Sequence, residues 1–178
     1  MKLLLHSCCA PCSSGVLDTL KDYDVTVYFY NPNIYPAQEY DLRAKEQMRF
    51  LDQLGIKYVV EQHHSDDFYA VVKGLENEKE GGSRCIECFK LRLSHTYEYA
   101  KSHGFDAYTT TLSVSPYKNY DNIVKIGNMY SDENTKFLPF NFKKKDGYLK
   151  SIQNSKKYGL YRQNYCGCEF SMRKEVKE

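Results

Sequence analysis

At 178 residues the chain can bury a sizeable core, and its 42% apolar content excludes wholesale disorder. No run approaches the roughly 20 apolar residues of a membrane helix, and the "KLLL" before His6 is too short for a secretory h-region, so the expected location is cytoplasmic. The net charge of +2 conceals an asymmetry: residues 141–178 carry ten Lys/Arg against four Asp/Glu, or +6, which leaves −4 for residues 1–140.

Lys2 to Leu5 reads as a short buried strand, and Ser13 or Ser14 can cap a helix running through Val16, Leu17 and Leu20. "VTVYFY" (25–30) is β-branched and aromatic and predicts a second strand, closed by the turn "NPNIYP". Gln38 to Leu54 is a predicted helix with Leu42, Met48, Leu51 and Leu54 on or near one stripe, and Gly55 stands as its C-cap. "IKYVV" (56–60) is a third strand, and Ser65, Asp66 and Asp67 open a helix that stops at Gly74. After the polar break "NEKEGGS" a long helix is expected from Arg84 to His103, closed by Gly104. "DAYTTTLS" gives a fourth strand, "VSPYKN" a loop, Asp121 to Met129 a helix, and "KFLPF" a marginal strand. The remainder reads as loop and helix ending in "YCGCEF". With no internal repeat and no long linker, residues 1–178 read as one α/β unit.

Alternating strands and helices argue for a parallel sheet with helices on both faces, in which ligands gather at the carboxyl ends of the strands. Three cysteines, Cys8, Cys9 and Cys12, fall at that edge behind the first strand. Four more come as two pairs, Cys85 with Cys88 in "RCIEC" and Cys166 with Cys168 in "CGC". Buried core cysteines have no reason to bunch in this way. A thioredoxin-type "CAPC" leaves Cys8 and both later groups unemployed, and a structural zinc uses four of the seven. An iron–sulfur cluster also takes four thiolates, and the remaining three match the protein ligands of a metal with an open position. These readings of the thiols stay open on spacing alone.

With "HSCCAPCSS", "NPNIYPAQEYDLR", "RCIECFKLRL", "TTTLSVSPYKN" and "YRQNYCGC" in the same order over residues 6–168, the chain resembles the epoxyqueuosine reductases of the QueH type. The resemblance implies a Rossmann-like (HUP-like) parallel sheet flanked by helices, with a metal site at the carboxyl edge of the strands. It implies reduction of the epoxide of epoxyqueuosine, at the wobble position of certain tRNA anticodons, to the alkene of queuosine. It also implies a 4Fe–4S cluster, an adjacent mononuclear metal expected to be iron, and an external electron donor. All seven cysteines become expected metal ligands, with their division between two centres left open. The alternatives are a zinc-stabilised RNA-binding module without catalysis and a tRNA sulfur-transfer enzyme. The latter would want a glycine-rich phosphate loop where "HSCCAPCSSG" has cysteines.

His6 and Tyr35 are candidate proton donors near the strand edge. Glu39 and Arg43, four apart on a helix, are candidates for ribose or cyclopentane hydroxyls, or pair with each other. Ser113, Ser115 and Asn119 lie in a loop after a strand, where polar substrate contacts are expected. The basic, tyrosine-rich segment 141–178 is expected to return to the metal site, with Lys143, Lys144, Lys145, Lys156, Lys157 and Arg162 facing tRNA phosphates.

Overall fold

The structure is a computed structural model and describes residues 1–172. The last six residues of the basic segment, 173–178, lie outside the described residues. Five strands, β1 (Lys2–His6), β2 (Asp24–Phe29), β3 (Lys57–Val60), β4 (Ala107–Thr110) and β5 (Lys136–Phe137), form one parallel sheet in the order β3-β2-β1-β4-β5. The helices are α1 (Ala10–Ser14), α2 (Ala37–Leu54), α3 (Ser65–Val72), α4 (Ser83–Ser102), α5 (Tyr120–Met129) and α6 (Gly147–Tyr158).

Side-chain alternation along β1 divides the core. Leu3 and Leu5 face one layer with Val27, Phe50, Leu51 and Phe142. Leu4 faces the other with Tyr28, Leu93, Tyr108 and Ile126. Each such leucine contributes about 2 kcal/mol on burial, which fixes β1 at the centre of the sheet. The chain leaves β1 towards β2 and β3, then crosses back to place β4 on the other side. The loops after β1 and β4 therefore diverge, and a crevice opens between them at the carboxyl edge.

Local chemistry departs from the sequence expectation in four places. The helix after β1 starts at Ala10 and not at Ser13 or Ser14: Cys9 is its N-cap, with Sγ accepting from the Cys12 N–H at 3.4 Å, and Pro11 fills the first turn. It stops at Gly15, so Leu17 and Leu20 belong to a separate 3-10 turn, Leu17–Leu20. Gly15 ends α1 because α6 crosses there: a Cβ would lie 2.2 Å from the Gly147 carbonyl oxygen. On α2 only Leu51 of the proposed stripe is buried: Met48 is half-buried, Leu42 and Leu54 are exposed, and the buried face carries Tyr40, Arg43, Ala44, Gln47 and Phe50. Polar groups occupy that face because they hold two loops of the site. "DAYTTTLS" is strand only to Thr110 before a 3-10 turn, Thr111–Val114, and "KFLPF" pairs over two residues. Gly55 does cap α2, in the left-handed conformation.

Among the described residues no helix is long and apolar enough to cross a membrane.

Candidate metal centre

The end of β1 delivers Cys8, Cys9 and Cys12 to the crevice. Ser7 fixes the loop by donating to Gln47 Oε1 at 2.8 Å and to the Cys9 carbonyl at 3.1 Å, while Asn31 Nδ2 donates to the Ser7 carbonyl at 2.9 Å. The three thiols lie within 4.8 Å of one another, with Cys9 Sγ 2.9 Å from Cys12 Sγ and 3.9 Å from Cys8 Sγ. Hydrogen bonds from Cys12 and Cys9, with help from the Lys118 charge, hold the Cys8 thiol well below its ordinary range. Burial pushes Cys9 up to about 12, and hydrogen bonding to Cys8 and Cys9 raises Cys12. The group thus favours a thiolate at Cys8 and gives up further protons to a metal.

Cys85 and Cys88 sit in the first turns of α4, and Cys166 and Cys168 arrive from the chain after α6. All four line one small cavity, together with Arg92, Lys118 and Asn119. Cys88 and Cys168 also share an apolar cluster with Phe68 and Val72. Burial raises Cys85 and pushes Cys88 up to about 12. The neighbouring, more open cavity, about 380 Å³, is lined by Cys8, Cys12, Thr111, Lys118 and Cys166. Cys166 and Lys118 belong to both walls. Six of the seven thiols therefore line two adjacent cavities that share Cys166, and the seventh, Cys9, is buried against Cys8 and Cys12. The trio is the close group, its sulfurs all within 4.8 Å, while the other four, the quartet, share one cavity wall.

The "CGC" loop is held by Arg43, which is 1% exposed, pairs with Glu39 at 2.7 Å, and donates to the carbonyls of Cys166 at 3.0 Å and Tyr165 at 3.3 Å. Glu39 also accepts from the Tyr161 hydroxyl. Gly167 has φ +140°, and a Cβ there would lie 3.2 Å from Arg43 Nη1, Asn33 Nδ2 and Ile34 Cγ1. Gly167→Ala is expected to cost about 2 kcal/mol of local stability. A lowered melting temperature and reduced iron content after reconstitution would register this.

Other predicted residues fall in different places. His6 is fully buried, its ring nitrogens bonded to Thr110 Oγ1 at 2.9 Å and the Tyr30 carbonyl at 3.1 Å, and burial lowers its pKa to about 4. Tyr35 is 44% exposed beside the "CGC" loop, its N–H donating to the Gly167 carbonyl at 2.8 Å. Ser113 donates to the Phe140 carbonyl at 2.8 Å and lies in the core. Ser115 lines the open cavity, and Asn119 both caps α5 and lines the quartet cavity. Lys143 donates to the Lys118 carbonyl, whereas Lys144, Lys145, Lys156 and Lys157 are exposed. Arg162 lines the open cavity and donates to Ser155 Oγ at 3.1 Å.

Two cations that no spacing rule singles out dominate the electrostatics. Burial works against the Lys118 charge, but Cys166 and Cys8 more than offset it and hold the ammonium above its ordinary range. Arg92, 1% exposed, likewise stays charged beside Cys88 and Cys166 despite burial, with Nε and Nη2 unpartnered. A soft quartet of thiols beside an uncompensated guanidinium fits an anionic iron–sulfur cluster, and the trio fits a metal with an open side.

Comparison with known proteins points to one family. A family model described as "Epoxyqueuosine reductase QueH" matches residues 3–174. The chain is 41% identical to the epoxyqueuosine reductase QueH of Staphylococcus epidermidis, covering 98% of this chain and 77% of that one. It is 38% identical to the protein of the same name from Acinetobacter baylyi, over 97% and 81% of the two chains. With the Thermotoga maritima protein of that name it shares 34%, over 96% and 90%. Among solved structures it is similar in fold to the U34-tRNA thiolase NcsA from Methanococcus maripaludis with its [4Fe-4S] cluster, at TM-score 0.59 and 15% identity, covering 97% of this chain and 62% of that one. Matches above 30% identity over nearly the whole of this chain, with a family model over residues 3–174, establish that this chain belongs to the epoxyqueuosine reductase QueH family.

Proposed function

We propose that this chain reduces the epoxide of epoxyqueuosine in tRNA to the alkene of queuosine. Two electrons and two protons are consumed, both C–O bonds of the epoxide break, a C=C bond forms, and the oxygen leaves as water. The observation that carries the reading is that cysteines from three remote parts of the sequence come to adjacent cavities, a close trio of thiols beside a cavity lined by the other four.

Cys85, Cys88, Cys166 and Cys168 would hold a 4Fe–4S cluster, and Cys8, Cys9 and Cys12 a second metal, iron. When bound, these centres supply electrons and a Lewis-acidic seat for oxygen. The chain's own residues do the rest. Lys118, whose ammonium belongs to the wall of both cavities, donates a hydrogen bond to the departing oxygen as charge develops on it. Tyr117, Tyr148 and Tyr165 line the open cavity and offer faces on which anticodon bases stack. Arg162 at that rim, with Lys156 and Lys157 in the last turn of α6, receives the phosphates.

Changing Lys156 and Lys157 together to serine is expected to weaken tRNA binding and to flatten the log–log salt slope by about 1.5. Binding measured at several potassium chloride concentrations tests this, and an unaltered slope rules the two lysines out.

The test of the reaction is anaerobic incubation with a chemical reductant and tRNA bearing epoxyqueuosine, read by nucleoside mass spectrometry. Queuosine in place of epoxyqueuosine, from brown protein holding iron and labile sulfide, is the expected result. Colourless protein with stoichiometric zinc and no conversion overturns it.

A further inference from the structure

Three arginines are fully buried among the described residues, and two of them are held by a carboxylate or by several carbonyls. Arg43 is paired with Glu39 and bonded to two carbonyls. Arg84, from the first turn of α4, gives Nη1 to the carbonyls of Leu75, Glu76 and Glu78 and lies over the Phe170 ring. Arg92 is different. Its Nη1 reaches Asn31 Oδ1 at 3.4 Å, its guanidinium carbon lies 5.8 Å from the Phe89 ring centroid, and Nε and Nη2 meet no acceptor. Neither Arg84 nor Arg92 appears in an ion pair among the described residues, but Arg84 has three carbonyl oxygens at Nη1 where Arg92 has one amide oxygen at 3.4 Å.

Burying a charge without its opposite is costly, and a chain gains nothing by keeping one unless the opposite charge arrives later. Arg92 lies on α4 one turn beyond Cys88 and lines the cavity of the quartet. The anion that fits there is the thiolate-bound cluster itself, since four cysteine thiolates around a 4Fe–4S core make a net anion. The geometry points to Arg92 as a positioning residue, the built-in counter-charge of the metal centre. This rests on the proposed reading of the quartet as the cluster's seat.

Two consequences separate this role from ordinary packing. Before loading, Arg92 is a liability to the fold; after loading, it stabilises the centre. A fixed positive charge beside the cluster also favours the electron-richer state, so it makes the cluster easier to reduce. The wall around that seat combines the rings of Phe68 and Phe89 with Arg84, Lys118 and Glu80, and Arg92 is the cation one turn from Cys88.

The experiment compares wild type, Arg92→Met and Arg92→Lys, each as apoprotein and after iron–sulfur reconstitution. Melting temperature and an anaerobic reductive titration followed by visible absorbance are the readouts. In Arg92→Met the apoprotein is expected to melt ~3 °C or more above wild type, because the uncompensated charge is gone. Its reconstituted form gains less on loading, and its cluster reduces at a more negative potential. Arg92→Lys keeps the charge and lies between. Equal lowering of both melting temperatures with an unmoved potential, or failure of the Arg92→Met apoprotein to fold, overturns the proposal. If wild type takes up no cluster, the reading of the quartet fails. The apoprotein comparison still decides whether Arg92 is uncompensated: a rise on Arg92→Met sustains that, a fall removes it.

Discussion

Alanine at Cys166 is expected to abolish turnover and to lower the iron content. Cys166 sits at the seam, lining both the quartet cavity and the open one. Its carbonyl is also the anchor by which Arg43 holds the loop. On the proposed assignment, removing its sulfur would take one of four ligands from the cluster and open the wall shared by the two cavities. A metal centre contributes several kcal/mol to stabilising the developing charge, so the loss in kcat is about a thousandfold or more. Cys85→Ala is expected to match it in lost colour and labile sulfide. Cys12→Ala is expected to differ: the brown cluster stays, the second metal goes, and turnover goes with it. Metal analysis with visible spectra and the nucleoside assay on the three variants tests the division of four and three. Full activity with unchanged iron in Cys85→Ala or Cys166→Ala sinks the ligand assignment.

The parts of this architecture that local chemistry dictates are legible in the sequence. Apolar runs such as "KLLL" and "VTVYFY" make strands, Gly55 in the left-handed conformation ends α2, and alternation of strand and helix places the first cysteines at a carboxyl edge. The errors have a common cause. Periodicity treats apolar residues as buried and polar ones as solvated, but α2 turns Arg43 and Gln47 inward to hold the loops carrying Cys166 and Cys9, and leaves Leu42 outside. The start of α1 was hidden because a cysteine thiol, an uncommon cap, replaces the serines two turns' chemistry would favour. Arg92 and Lys118 were illegible for the same reason as Arg43: in a helix or after a proline a basic residue reads as surface. Spacing likewise could not divide the thiols, since Cys166 and Cys168 are two residues apart and only one of them reaches the open cavity.

Lys118→Met is expected to lower kcat by about a hundredfold to a thousandfold while iron and labile sulfide stay at wild-type levels. Lys118 follows Ser115, Pro116 and Tyr117 in the loop after β4, so its backbone is placed by the strand that forms one lip of the crevice. Its carbonyl is tied down by the Lys143 ammonium, which keeps the loop from swinging out. Burial works against its ammonium, but attraction to Cys166 and Cys8 more than offsets it and holds the charge above its ordinary range. An epoxide oxygen leaves poorly as an alkoxide, and a fixed donor aimed at it costs no reorganisation when the charge appears. Because the interaction strengthens only as the C–O bond breaks, the loss falls on kcat with little change in KM for tRNA. Lys118→Arg keeps the charge with a different reach and is expected to recover part of the rate. A Lys118→Met protein whose KM rises while kcat is unchanged assigns the lysine to substrate binding instead. One that loses its iron makes it a support of the metal centre.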